Sequence, residues 1–142
     1  DGKRKTGFVE FRSMLTLDMD YGTSTIWEEI STFFPYQCCI YSTHKHTPEN
    51  PRLRLLIPLL RDVREEEHTV VSRMVAKEIG IDLFDDTTYE PERLMYWPST
   101  SRNGIFVYEE KDGSLLDPDV FLNKYDDWYD TSTWPRLAEI MF

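Results

Sequence analysis

Residues 13–20 read Ser-Met-Leu-Thr-Leu-Asp-Met-Asp. Leu15, Leu17 and Met19 fall on one side of an extended chain and Thr16, Asp18 and Asp20 on the other, which is the two-residue period of a half-buried strand. The segment therefore reads as a strand that ends in a carboxylate pair. Downstream of it, Thr23 or Ser24 can cap a helix whose apolar residues Ile26, Trp27, Ile30, Phe33 and Phe34 recur at helical spacing and stop before Pro35. Residues 37–45 are rich in β-formers. After the turn-prone Thr47-Pro48-Glu49-Asn50-Pro51 comes Arg52-Leu-Arg-Leu-Leu-Ile-Pro58, so the two runs predict a hairpin.

Asp62 with Glu65 has the spacing of a capping-box variant, and Val70, Val71, Met74, Val75 and Ile79 then form an apolar stripe ahead of Gly80 at the expected stop. That is a second helix. An acidic loop follows over 82–92, and Arg93–Trp97 and Ile105–Tyr108, joined through Asn103-Gly104, predict a second antiparallel pair. Asp117 can cap a short helix that opens on Pro118 and runs to about Tyr125. The order β-α-β-β-α-β, with an appended hairpin strand and C-terminal helix, is that of a split βαβ unit. This α+β class carries two helices on one face of an antiparallel sheet and leaves the other face open.

The chain has 142 residues, 40% hydrophobic and 14% aromatic, enough for one domain spanning 1–142 and too apolar for intrinsic disorder. No apolar run approaches the length of a membrane span and no secretory leader opens the chain, so a soluble, cytoplasmic protein without a membrane partner is expected. Asp1 is followed by polar and basic residues and no methionine begins the sequence, so the chain is expected to be part of something longer. Cys38 and Cys39 are adjacent in a predicted strand, where they point to opposite faces, so neither a disulfide nor a zinc site is implied.

The net charge of −10 argues against a protein that coats nucleic acid. Its distribution is uneven. Residues 1–60 hold 7 basic and 7 acidic groups, and the whole deficit lies beyond them. Local cations that grip a few phosphates fit this pattern better than a basic duplex-tracking body.

Asp18 and Asp20 project from one face with no basic neighbour in sequence, and two such carboxylates repel unless a cation lies between them. Their hard oxygens suit Mg²⁺ or Mn²⁺, which bind through one or two carboxylates and substrate phosphates. In an extended strand Ser42 and His44 share a face, and the hairpin sets Arg52 and Arg54 together on its partner, with Lys45 and His46 at the rim. This surface can hold metal on one side and a triphosphate on the other. Asp82, Asp85 and Asp86 can each supply a third carboxylate; we favour Asp85, with Arg93 just beyond it. The tryptophans Trp97, Trp128 and Trp134 read as core and edge-covering groups.

These residues resemble the motifs of the archaeo-eukaryotic-type primases and primase-polymerases of phage, plasmid and virulence-associated-E helicase-primases. Leu17-Asp18-Met19-Asp20 is similar to the first motif, Ser42-Thr43-His44 to the second and Phe84-Asp85 to the third. Arg93–Ser99 stands where the family often has an Arg-rich strand closing on Pro, and the stretches 41–54 and 81–89 are similar to the phage branch. The resemblance implies an RNA-recognition-motif-like catalytic core. In it Asp18, Asp20 and Asp85 would bind two divalent ions, Mg²⁺ or Mn²⁺, and His44 would contact the nucleotide's phosphates. Nucleoside triphosphates and a single-stranded DNA template are the implied partners, with a helicase domain in the parent chain.

On that basis the expected activity is template-directed nucleotidyl transfer. Asp18, Asp20, Asp85 and His44 would serve catalysis, while Ser42, His44, Lys45, Arg52, Arg54 and Arg93 would hold the nucleotide. Two other classes compete. One is a rolling-circle initiator or relaxase-type nuclease built on His44-x-His46, opposed by the cation Lys45 between the histidines and by the lack of a tyrosine in the second helix. The other is a non-catalytic domain that binds nucleic acid through the open sheet.

Overall fold

The computed structural model describes residues 11–89, 100, 102 and 104–136. Among these residues four strands form one antiparallel sheet: β1 (Arg12–Met19), β2 (Cys38–Ser42), β3 (Leu53–Val63) and β4 (Tyr108–Lys111), in the spatial order β1-β3-β2-β4. Among the described residues three α-helices accompany them, α1 (Ile26–Phe33), α2 (Glu65–Ile79) and α3 (Pro118–Leu122), so the predicted α+β architecture holds. The insertion of β3 between β1 and β2 is the split expected of the β-α-β-β order.

Alternation decides the two faces. Leu15, Leu17 and Met19 of β1, Leu53, Leu55, Ile57 and Leu59 of β3 and Cys38 and Ile40 of β2 are buried in one core with Ile26 and Ile30 of α1 and Val70, Val71 and Val75 of α2. Thr16, Asp18, Arg54, Leu56, Cys39 and Tyr41 have the opposite parity and line the second face. Cys38 and Cys39 are both free thiols, and burial pushes Cys38 up to about 11.

Several boundaries differ from the sequence reading for identifiable reasons. Helix α1 begins after Thr25, which makes no side-chain cap bond, and Phe33, expected in the apolar stripe, is 81% exposed. An eight-residue helix offers the core too narrow a stripe for it. Strand β3 continues through Pro58 to Val63, absorbing the region in which Asp62 was expected to cap α2. The cap is Arg64 instead, whose backbone N–H donates to Glu67 at 2.9 Å. Gly80 closes α2 at φ 141°, with its N–H donating to Ala76 O at 2.7 Å, as the stop signal required.

The last described strand is Tyr108–Lys111, three residues beyond the predicted Ile105–Tyr108, and it pairs with β2. Its predicted partner, Arg93–Trp97, lies outside the described residues, as does Asn103. Asp117 caps α3 by accepting from Asp119 N–H at 3.0 Å, and the helix ends at Leu122 rather than near Tyr125. Trp128 and Trp134 pack against the core from the C-terminal segment, joined by the Trp134 indole N–H donating to Trp128 O. No helix among the described residues is long and apolar enough to cross a membrane.

Candidate active site at one end of the sheet

Asp18 lies opposite Arg54, and Arg54 lies opposite Tyr41, so the three form one row across β1, β3 and β2. Arg54 Nε donates to Asp18 Oδ1 at 2.7 Å and its Nη1 donates to the Tyr41 hydroxyl at 3.1 Å, with the guanidinium 5.6 Å from the Tyr41 ring centroid. The pair is deeply placed, with the side chains only 8% (Arg54) and 7% (Asp18) exposed. Burial by itself would lower the Arg54 guanidinium; its bonds to Asp18 and Tyr41 outweigh that and leave it raised. The basic partner that Asp18 lacks in sequence is therefore supplied across the strands.

The register also gathers the other candidates. Met19, Leu53 and Ser42 stand in one row, so the residues that follow, Asp20 from β1, Arg52 from β3 and Thr43-His44 from β2, leave the sheet at the same end. Arg52 is half-buried, and its Nε makes no hydrogen bond among the described residues. His44 and Lys45 are exposed in the connection that follows β2. Asp20 is half-buried.

Asp85 reaches this end by a route that local periodicity does not show. The segment after α2 lies along the outer edge of β1: Tyr21 N–H donates to Leu83 O at 3.1 Å and Asp85 N–H to Asp18 O at 3.0 Å. Asp18 N–H donates to the Thr88 hydroxyl at 2.6 Å, and that hydroxyl donates to Thr16 O at 3.3 Å. An edge strand presents unpaired backbone groups that must be covered, and this segment covers them. It thereby sets Asp85 directly beside Asp18. Asp82 is exposed, and Asp86 is described only in its backbone.

Ser42 departs from expectation. Its parity is that of Cys38 and Ile40, it is fully buried, and its hydroxyl accepts from Val107 N–H at 2.8 Å while its own N–H donates to Val107 O at 2.8 Å. It fastens the approach to β4 rather than facing Asp18. Because β2 ends there, Ser42 and His44 do not share a strand face. His46 likewise is a loop clamp: it is buried, its Nδ1 accepts from Arg52 N–H at 3.1 Å, and burial lowers its pKa. With His44 exposed and His46 used in this way, the His-x-His pair of the nuclease reading is not assembled. Arg93 lies outside the described residues.

Thr88 and Tyr41 are the residues that sequence reasoning missed, while His46, expected at the rim, serves instead to hold the loop. Thr88 stood in a polar Asp-Asp-Thr-Thr run that reads as a turn, and the only available hint was that β1 needed an edge partner.

A model of the VapE N-terminal domain family matches residues 1–137. The chain belongs to that family. Membership links this VapE N-terminal domain to the VapE-like replication proteins of phages and plasmids. No curated protein and no solved structure matches it.

The donor set suits a hard divalent cation, since Asp18 and Asp85 are carboxylates on neighbouring backbone segments and Asp20 leaves the sheet at the same end. Among the described residues no three or more His, Cys, Asp or Glu side chains are drawn into a ready-made cage. Two cavities, of 470 and 240 Å³, open beside α1, and neither is lined by Asp18, Asp85 or Arg54. The candidate site is an open sheet end.

Proposed function

We propose that this domain is a DNA primase or primase-polymerase of phage or plasmid replication, carrying out template-directed nucleotidyl transfer from nucleoside triphosphates on single-stranded DNA. The observation that supports it most is the backbone docking of Asp85 on Asp18 in the row that Arg54 completes, since it joins a carboxylate pair to a phosphate-gripping cation from chain positions far apart. Divalent ions bound there would activate the attacking 3′-hydroxyl and neutralise the departing pyrophosphate.

The chain's own residues have separable tasks under this reading. Asp18, Asp20 and Asp85 present the carboxylates. Arg54 on β3 and Arg52 just before that strand offer guanidinium donors to the triphosphate, and His44 and Lys45 stand exposed at the same end to meet its outer phosphates. A basic body is unnecessary, because these few cations act on one nucleotide at a time.

The test supplies Mn²⁺, labelled nucleotides and either bare single-stranded DNA or an annealed primer, the second arm bypassing initiation. The intact chain should extend the primer, and Asp18→Ala, Asp20→Ala and Asp85→Ala should each reduce product by at least about a hundredfold, as loss of a transition-state contact does. Equal product from the three variants refutes the site. Single-strand binding that survives Asp18→Asn and needs no divalent ion, with no extension in either arm, would make the domain a binding module instead.

A further inference from the structure

We propose that the larger of the two cavities, the groove beside α1, is a docking site for a short basic segment of a partner protein that carries a bulky apolar side chain among its cations. One wall is α1, through Ile26, Ile30 and Phe34, and the other is the end of α2 and the segment after it, through Ile79 and Leu83. The first three are buried and the last two half-buried, so the floor is apolar. At 470 Å³ the groove falls within the range of about 300–1,000 Å³ typical of sites that enclose a ligand. Phe33 extends that floor to the surface, since it lines the groove and is 81% exposed. A lone exposed aromatic needs no explanation; one that borders an apolar cavity enlarges the surface that an occupant can remove from water.

Charge selects the occupant. Every charged residue that lines the groove is acidic: Glu29, Glu78 and Asp82. Glu29 and Asp82 are exposed, and Glu78 meets Lys124 at 3.1 Å in a solvent-exposed pair of the kind that contributes little and exchanges readily for another cation. The C-terminus of α2 at Gly80 adds its partial negative charge. Lys111 lies near the end of α1, where its ammonium donates to the carbonyls of Ser31 and Phe34, and it does not line the groove. The phosphates of a nucleic acid or of an anionic membrane would face these carboxylates, and a second copy of this chain, with its net charge of −10, would bring more of the same sign. A segment rich in Lys or Arg meets the rim favourably while its apolar anchor fills the floor. This docking site does not depend on nucleotidyl transfer at the sheet end.

The experiment pans the full chain against a random peptide library displayed on phage, then measures the enriched peptides, synthesised with a fluorescein label, by fluorescence anisotropy. The expected consensus places Lys or Arg on both sides of a large aliphatic or aromatic residue, and replacing that residue by Ser should abolish binding. Phe33→Ser, and separately Glu29→Gln combined with Asp82→Asn, should each weaken the peptides by at least about tenfold, as loss of an interface hot spot does. All three positions are exposed, so these changes spare the core. Glu49→Gln combined with Glu66→Gln removes as much charge at exposed positions outside the groove and should leave affinity unchanged. Weakening by this remote pair equal to that by the groove pair would mean attraction to net charge alone and would overturn the docking site. So would a consensus without cations or without an apolar anchor, binding that survives Phe33→Ser, or no enrichment. Single-stranded DNA or anionic vesicles that bind wild type but not Phe33→Ser would give the groove to the wrong partner and overturn it as well.

Discussion

His68 makes acid the natural probe of this fold. It lies on α2 with 0% exposure, neither ring nitrogen makes a hydrogen bond among the described residues, and its pKa is pushed down to about 3 by burial and then by the nearby charge of Arg12. The Tyr89 backbone opposes this only weakly. The folded chain therefore keeps His68 neutral where the unfolded chain, with an ordinary imidazole pKa of about 6.5, takes up a proton. The unfolded state binds more protons, so stability is fully present above about pH 6.5 and falls as pH drops toward about 3. The difference of roughly 3.5 pKa units sets a ceiling of about 5 kcal/mol, of which about 2 kcal/mol would be lost by about pH 5. That is a large share of a domain stability of about 5–15 kcal/mol. Urea unfolding followed by tryptophan fluorescence at about pH 7, 6 and 5 measures it, with His68→Leu as the reference, because the leucine removes this titration alone. The wild-type midpoint should fall more steeply with acidification than that of His68→Leu. Equal slopes would refute the account of a buried neutral imidazole.

Three further outcomes follow from the geometry. Asp18→Ala should cost about 3–5 kcal/mol in urea unfolding by removing the carboxylate to which the buried Arg54 Nε donates at 2.7 Å, and Asp18→Ala with Arg54→Met should recover a substantial part of it; additive losses would mean the two side chains are not coupled. Thr88→Val deprives Asp18 N–H of its acceptor and should cost about 1–3 kcal/mol while also weakening Mn²⁺ binding, because the same contact fixes the Asp85 segment. Gly113→Ala would bring a methyl group to 2.8 Å from Pro35 O and 2.9 Å from Gln37 N, so a loss of about 1–3 kcal/mol or more is expected in thermal unfolding, with a wild-type melting temperature counting against the packing described.

The parts of the fold that could be read from sequence are those where one face is buried and the pattern is local. Alternation over 13–20 placed β1 to within a residue, and the stripe from Val70 to Ile79 with Gly80 beyond it placed α2. What escaped were features set by partners. The length of β3 was hidden because Pro58 looks like a stop, although Leu59 and Val63 still alternate into the core beyond it. That hidden length moved the cap of α2 from Asp62 to Arg64, a residue type without cap preference whose role depends on Glu67 reaching back. For the site, sequence showed which residues carry charge but not the register that pairs Asp18 with Arg54, nor where β2 ends, which separates Ser42 from His44.

The segment 83–88 joins stability to function in one device. Left bare, the outer edge of β1 would expose the backbone groups of Thr16 and Asp18, and the chain covers them with a short run that has little regular structure of its own. The same bonds carry Asp85 to the carboxylate that Arg54 holds. A replacement that disturbs the docking, even one far from any charged group, should therefore lower unfolding stability and divalent-ion binding together, whereas a replacement at Asp85 that spares its backbone should lower binding alone. That difference separates a carboxylate placed for chemistry from one that merely occupies a turn. It follows from the bond at this position being made by the main chain of Asp85, whose N–H donates to Asp18 O.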